Sequence, residues 1–540
     1  MPKTGIRESE ILVKAMRFHT SLSLLFLLIS IAVSGCMKKE PPFSLGTASS
    51  MVKIPFDKPF AGPGADTIEI SAAGGEYESF QAVIYGVKES LSGMRVEVGG
   101  LSGEKGRIGR ENISINPVGY VETTVVSKSY PSALGFWPDP LLELNEFEVK
   151  AGEVQPVWVT VYVPRETPSG LYHGKIIVSA AGAGTRDVPF QLRVWGFDLP
   201  EKRVLKTLTW VGPMSELYGY ERESLKEKEV HKQYYDLLLK NRLGPGGNIE
   251  LSDEMLQYCL DRGMNCFLLE VIPNLRRQKL ENFSPEYKRG LAGKLSECVS
   301  RFGPRGWLNG MAYVYNYDEV DKDHWPLARE MYKLVKRVSP DLRVIQCLNI
   351  PEGVEALAGY ADTWDVYFAQ YEKTGIEKRR AEGDEVWLSV CCYPAERPNL
   401  FLEYPAIDAR VLGWICWVTG VSGFEYWSPN HWGKNKSFPG LRGGWIANTF
   451  QNYNGDGYLL YPGADGTPLS SIRLANLRDG FEDYEYFSLL RSLKGEAKIP
   501  SEVVASPTRY SSDPGLFYRT RAKIAEEIES LAGKRTQLQQ

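Results

Sequence analysis

From about Lys202 onward the chain repeats one unit: a short run of apolar and β-branched residues, then a longer amphipathic stretch, then another run. Alternation of this kind calls for a parallel sheet built from βα units, because each strand must be covered by the helix that follows it. Strand-like runs fall at 205–211, at 246–249 (weakly), and at 266–272, 311–317, 342–348, 363–368, 386–392 and 423–427. Between them, 228–240, 285–301, 326–338 and 407–418 carry apolar residues three and four apart, which is helical spacing. Eight units in roughly 230 residues match one closed (β/α)8 barrel of the TIM type. An open doubly wound sheet is the alternative. It is disfavoured because no Gly-x-Gly-x-x-Gly follows an early strand and no Gly-x-x-x-x-Gly-Lys-Ser/Thr occurs.

The preceding segment has a different rhythm. Between 43 and 200, short β-branched and aromatic runs such as 81–85, 157–163 and 175–179 are punctuated by Gly, Pro and Ser, which predicts a β-sandwich. In Val157-Trp158-Val159-Thr160-Val161-Tyr162-Val163 both faces are largely apolar, so that strand should be covered on its second side by a neighbouring sheet or domain. The expected organisation is multidomain: a β-sandwich at 43–200, a (β/α)8 TIM-type barrel at 203–493, and a C-terminal extension at 494–540 made of a loop and a helix over 516–531.

At the N-terminus, Lys14 and Arg17 precede the apolar run 22–33, too short to span a bilayer as a helix and typical of an export signal. It ends in Val33-Ser34-Gly35-Cys36, which resembles a bacterial lipobox. Residues 1–36 therefore read as a lipoprotein signal peptide, with Cys36 as the lipidated residue anchoring the protein to a membrane on the periplasmic side or the cell surface. The other seven cysteines lie between Cys259 and Cys416 without the spacing of a disulfide framework or a zinc site. They read mostly as buried thiols, with at least one of the adjacent Cys391 and Cys392 in the core. Only five histidines are scattered along the chain, so no metal site and no cofactor is expected. The 63 basic and 67 acidic side chains nearly cancel, which leaves no field to attract a nucleic acid.

In a barrel of this kind chemistry sits at the C-terminal ends of the strands, so position discriminates better than residue type. Asp-Glu dipeptides occur at 253–254, 318–319 and 384–385. The first follows Ser252 at a helix start, where acids satisfy free N–H groups, and the third precedes its strand on the opposite, stability face. Asp318 and Glu319 directly follow Ala312-Tyr313-Val314-Tyr315-Asn316-Tyr317 and are the candidate catalytic pair. Polar and aromatic residues fall at this and other strand ends: Trp210, Tyr317, Asn349, Tyr367, Tyr371, Tyr393, Tyr426, Trp427, Asn430, His431 and Trp432. Aromatic faces and amide edges suit a sugar, although each ring taken singly is as well explained by core packing.

Cleaving a glycosidic bond takes an acid for the leaving oxygen and a group that stabilises or captures the oxocarbenium-like carbon. Glu319 can be the acid. Neighbouring side chains on an extended segment diverge, so Asp318 is ill placed as a facing nucleophile. The pair fits substrate assistance instead, in which a 2-acetamido oxygen attacks its own anomeric carbon while Asp318 holds the acetamido N–H.

The chain at this point resembles glycoside hydrolase family 123. The likeness rests on Tyr317-Asp318-Glu319, on Arg410-Val411-Leu412-Gly413-Trp414 leading to Gly423-Phe424-Glu425-Tyr426-Trp427, and on Gly455-Asp456-Gly457-Tyr458-Leu459-Leu460-Tyr461-Pro462. It also rests on Ser471-Ile472-Arg473-Leu474 with Arg478-Asp479-Gly480-Phe481-Glu482-Asp483-Tyr484-Glu485-Tyr486. The resemblance implies a β-sandwich before a TIM-type barrel, retention of configuration through an oxazolinium, and activity on β-linked N-acetylgalactosamine or a related N-acetylhexosamine. It makes Asp318 the stabiliser and Glu319 the acid/base, and gives the 478–486 stretch a structural role. Two other readings stay open: a non-catalytic surface glycan-binding lipoprotein, and a conventional two-carboxylate retaining glycosidase on non-acetamido sugars with Glu425 or Glu270 as nucleophile.

Overall fold

The structure, a computed structural model, describes residues 42–539 apart from 65–66, 128–133, 223, 270–282, 316 and 436. The signal segment with Cys36, and Glu270, lie outside the described residues. Among those residues, no helix is long and apolar enough to cross a membrane.

Two sheets form the N-terminal sandwich. One has the order Ser44–Ser49, Glu76–Tyr85, Gln155–Val163, Ile113–Thr123, Gly135–Leu141; the other runs Ile68–Gly74, Gly184–Asp198, Gly170–Ala180, Leu91–Val98, Phe147–Val149. Strand alternation sends Val157, Val159, Val161 and Val163 into the core between the sheets with Phe80, Ile176, Phe190 and Leu192. The same alternation turns Trp158 outward, where it packs with Ile472 and Ala475 of the second domain. That second covering explains why the strand is apolar on both faces.

The second domain is a nearly closed barrel of seven parallel strands. They are β1 (Lys206–Thr209), β2 (Phe267–Leu269), β3 (Ala312–Val314), β4 (Arg343–Cys347), β5 (Thr363–Tyr367), β6 (Glu385–Ser389) and β7 (Gly423–Tyr426). Their order is β1-β7-β6-β5-β4-β3-β2. The expected eighth strand, at 246–249, is absent as a strand. Its place between β1 and β2 is taken by Gly244-Pro245-Gly246-Gly247, which bonds to both neighbours: Thr209 N to Gly244 O (2.8 Å), Gly247 N to Thr209 O (3.0 Å) and Leu268 N to Gly246 O (2.8 Å). Pro245 has no N–H to offer a ladder. The glycines are required by close approach, because a Cβ on Gly244 or Gly246 would lie 2.4 Å from a carbonyl oxygen of Thr207 or Cys266.

Helices Leu225–Lys240, Pro285–Phe302, Trp325–Val338 and Ile407–Thr419 match the expected positions. Ser224 and Ser284 cap the first two by accepting hydrogen bonds from Glu227 N and Tyr287 N. A 23-residue helix, Ile472–Lys494, carries the Arg478 to Tyr486 motif. It crosses Ile407–Thr419 backbone to backbone, with a Cβ on Gly413 falling 2.0 Å from Gly480 O. Its charged side chains are buried against the sandwich. Arg410 donates to Asp483 (2.8 and 3.0 Å) and to Glu78 (3.1 Å), Arg478 to Ser79 Oγ (3.0 Å), and Tyr486 to Glu76 (2.5 Å), while Arg521 forms an ion pair with Asp483 (2.8 Å). The motif is thus an interdomain clamp. Beyond it lies a hairpin, Val504–Ser506 with Arg509–Tyr510, where the sequence suggested only loop, then the helix Pro514–Gln539.

Candidate active site

Inward-facing side chains fill the barrel in layers set by strand register. At the N-terminal end Glu385 accepts hydrogen bonds from Lys206 (2.7 Å), Tyr313 (2.8 Å) and Ser422 (2.8 Å), which puts the Asp384-Glu385 dipeptide on the stability face. Leu208, Leu268, Ile345 and Trp387 form an apolar middle. Asp253, at the other dipeptide, sits at the start of helix Asp253–Leu260 and pairs with Arg301 and Arg305.

The C-terminal end is polar. Asp318 and Glu319 follow β3 there, Asp318 half-buried and Glu319 exposed. Tyr315 donates to Asp318 Oδ1 at 3.0 Å and Tyr367, from the end of β5, donates to Glu319 Oε1 at 2.9 Å. Glu319 has φ +47°, a left-handed conformation rare for a residue with a Cβ and recurrent at functional sites. The sharp turn separates the directions of the two carboxyls. Asn349 Oδ1 accepts from Tyr367 N at 2.7 Å and so fixes the strand end that carries the tyrosine.

Of the remaining candidates, Trp210 packs on Tyr315 at the same end, and Trp427 stacks near His431 and Phe450 with its Nε1 on Asp456 (3.1 Å). Tyr393 is 71% exposed and His431 is exposed. Four others, and Tyr371, are buried. Tyr317, Tyr371, Tyr426 and Trp432 are buried in the core around the barrel. Tyr426 accepts from Gly457 N (2.9 Å), Trp432 donates to Leu460 O (2.9 Å), and Asn430 is consumed bridging the backbone of Gly212 (2.7 and 3.0 Å). Five of the seven described cysteines are buried as expected, but Cys391 and Cys392 are both half-exposed because β6 ends at Ser389 rather than continuing to them.

Asp365 escaped the reading of the sequence, Asp456 entered it only within a family motif, and Glu425 only as an alternative nucleophile. Asp365 in β5 and Glu425 in β7 point into the barrel beneath Asp318, 3% and 7% exposed. Burial and neighbouring acids push the Asp365 carboxyl up to about 7 and raise that of Glu425 well above the carboxylate range. A buried carboxyl that favours its neutral form is a poor nucleophile, so Glu425 does not suit the conventional two-carboxylate mechanism. Asp456, fully buried under Trp427, is pushed up to about 6 by burial. Its place is fixed by the Gly455-Asp456-Gly457 turn, whose glycines have φ +90° and +77°; a Cβ on Gly457 would lie 2.2 Å from the Trp427 ring. An inward acid in a strand that is otherwise apolar was the available signal for Asp365 and Glu425.

Comparison with known proteins bears on this arrangement. The profile of the glycoside hydrolase 123 catalytic domain matches residues 267–490, and that of the glycoside hydrolase 123 N-terminal domain matches residues 58–180. A family 123 glycoside hydrolase from Clostridium perfringens, studied for glycolipid glycan hydrolysis, superposes with a TM-score of 0.69 at 15% identity, over 92% of this chain and 100% of that one. A family 39 glycoside hydrolase from Bacteroides cellulosilyticus reaches only 0.32 at 14% identity, over 71% and 80% of the two chains. No curated protein matches the chain.

Proposed function

The chain belongs to glycoside hydrolase family 123, and from that premise we propose that it is a retaining enzyme releasing terminal β-linked N-acetylgalactosamine, or a related N-acetylhexosamine, by substrate assistance. The observation that carries the reading is the adjacent pair Asp318 and Glu319 at the open end of the barrel, each held by a tyrosine hydroxyl. Glu319 protonates the leaving oxygen while the acetamido oxygen closes on the anomeric carbon. Asp318 accepts the acetamido N–H, and its fixed charge stabilises the positive nitrogen that develops as the ring forms. Glu319, now ionised, then removes a proton from the water that opens the oxazolinium. Trp210, Asn349, Tyr367, Tyr393, Trp427 and His431 are the proposed sugar contacts, with the aromatic faces covering apolar C–H surface.

A panel of aryl 2-acetamido and 2-hydroxy β-glycosides tests the reading. Turnover is expected only on the 2-acetamido members, with inhibition by N-acetyl-thiazoline analogues of the cyclised intermediate. Turnover of the 2-hydroxy sugars with a trappable covalent glycosyl-enzyme would replace it with the conventional mechanism. Binding without any product would make the protein a glycan-binding one.

Exported lipoprotein character is part of the same proposal, supported by the lipobox-like Val33-Ser34-Gly35-Cys36. Cys36→Ala is expected to move the protein from the membrane to the soluble fraction of expressing bacteria. Retention of the variant in the membrane fraction would count against lipidation at that residue.

A further inference from the structure

Behind the proposed catalytic pair lies a polar arrangement that the reaction scheme does not use. Asp365 and Glu425 are almost fully buried, and neither forms an ion pair among the described residues. Asp365 Oδ1 and Glu425 Oε1 receive no hydrogen bond from any ordinary donor there. Yet the two carboxyls face each other inside the barrel, close enough for each to feel the other's charge. Two carboxylates cannot hydrogen-bond to each other, since each is an acceptor only; a carboxylic acid and a carboxylate can.

The surroundings favour the same answer. The groups facing the pair are Tyr315 and Asp318 from β3 and the turn after it, Cys347 from β4, Ser389 from β6, and Asp456 from the loop under Trp427; Glu319 lies a little further out. None of these is a cation. Two negative charges side by side in a water-poor barrel would repel one another at short range.

We propose that Asp365 and Glu425 hold a single proton between them, so that Asp318 faces one negative charge rather than two, and that this pair is a positioning element which sets the charge beneath Asp318 and keeps it aimed at the acetamido group. The shared proton gives both orphaned oxygens a partner. The remaining charge makes Asp318 a better acceptor for the acetamido N–H than it would be above a neutral core. The role of Asp318 rests on the glycosidase reading; the shared proton does not.

The test therefore has one arm without substrate and one with it. Unfolded carboxyls release their protons near pH 4, whereas the folded pair keeps one, so the pair's contribution to stability is complete below that pH and is lost as pH rises through the folded value near 7. In Glu425→Gln the amide N–H stands in for the shared proton, and Asp365 then carries the single charge. The variant's melting temperature is expected to fall less than wild type between pH 5 and 8, and an infrared band of a protonated carboxyl present in wild type is expected to vanish. Asp365→Asn should behave alike and serves if the first variant folds poorly. Parallel melting curves, or no protonated-carboxyl band in wild type, would overturn the shared proton while leaving the glycosidase reading standing.

With an aryl 2-acetamido glycoside, the acid limb of kcat/KM is expected to keep its position in Glu425→Gln, where the charge beneath Asp318 is conserved. It should move to lower pH in Asp365→Asn/Glu425→Gln, where that charge is gone. A limb displaced equally by the single and double substitutions would overturn the link to Asp318. Absence of turnover on every 2-acetamido glycoside overturns the glycosidase reading instead, and the melting and infrared arms still decide the pair.

Discussion

Glu319→Gln is expected to lower kcat/KM for a 2-acetamido β-glycoside with a poor leaving group by about 10²- to 10⁴-fold, the usual range for loss of a general acid. The amide keeps the size of the side chain and its contact with Tyr367 but has no proton to deliver. With 4-nitrophenol as aglycone the departing oxygen needs little protonation, so kcat/KM should fall far less, and the deficit should move to kcat through the missing base in the hydrolytic step. Asp318→Asn should behave differently. Stabilisation of the cyclising nitrogen is needed whatever the aglycone, so both substrates should suffer together. Steady-state kinetics on the two leaving groups separate these patterns. Equal losses for Glu319→Gln on both, or none on the poorer, would remove Glu319 from the acid role.

The second large effect is on stability. Arg410 is 1% exposed and neutralises Asp483 and Glu78, with Asp479 at 3.8 Å. Arg410→Met fills much of the same volume but takes away the cation that Asp483 and Glu78 share, leaving them Arg521 alone. Breaking a buried ion pair from one side typically costs about 3–5 kcal/mol, and urea unfolding should report a loss of that order. The exposed pair Arg289–Glu286 supplies the control, since removing it should cost less than about 1 kcal/mol. The sign of the pH dependence also follows. Burial already pushes Glu78 up to about 7, and with the guanidinium gone it holds its proton still more tightly. The deficit of Arg410→Met should therefore be smaller at pH 5, where the carboxyls can be neutral, and grow as pH rises through 7. A loss that does not depend on pH would mean that packing, not charge, dominates the clamp.

How much of this was legible in the sequence depended on whether an element keeps one wet face. Helices such as Trp325–Val338 do, and their spacing placed them within a residue or two. The helix Ile472–Lys494 does not. It is enclosed by the barrel on one side and the sandwich on the other, so Arg473, Arg478, Asp479, Glu482 and Asp483 are as buried as Leu474 and Phe481, and no apolar stripe remains to be read. The second barrel position failed for the opposite reason: Gly244-Pro245-Gly246-Gly247 looks like a turn, and only the neighbouring carbonyls reveal why side chains are excluded. Asp318 and Glu319 were visible because a strand end is a position with meaning. Asp365 was not, because it lies inside a strand, where an acid carries no dipeptide or cap signature, and Glu425 entered only as an alternative nucleophile.

The clamp also bears on the order in which the chain can mature during synthesis. Glu78 and Glu76 leave the ribosome early, whereas the arginines that meet them lie 332 and 445 positions later. Until the last helix emerges, the nascent sheet must keep that edge hydrated, and the two halves cannot lock together. A transcript truncated near its 3′ end would yield a product with an unsealed acidic seam, the kind of surface on which quality-control proteases act.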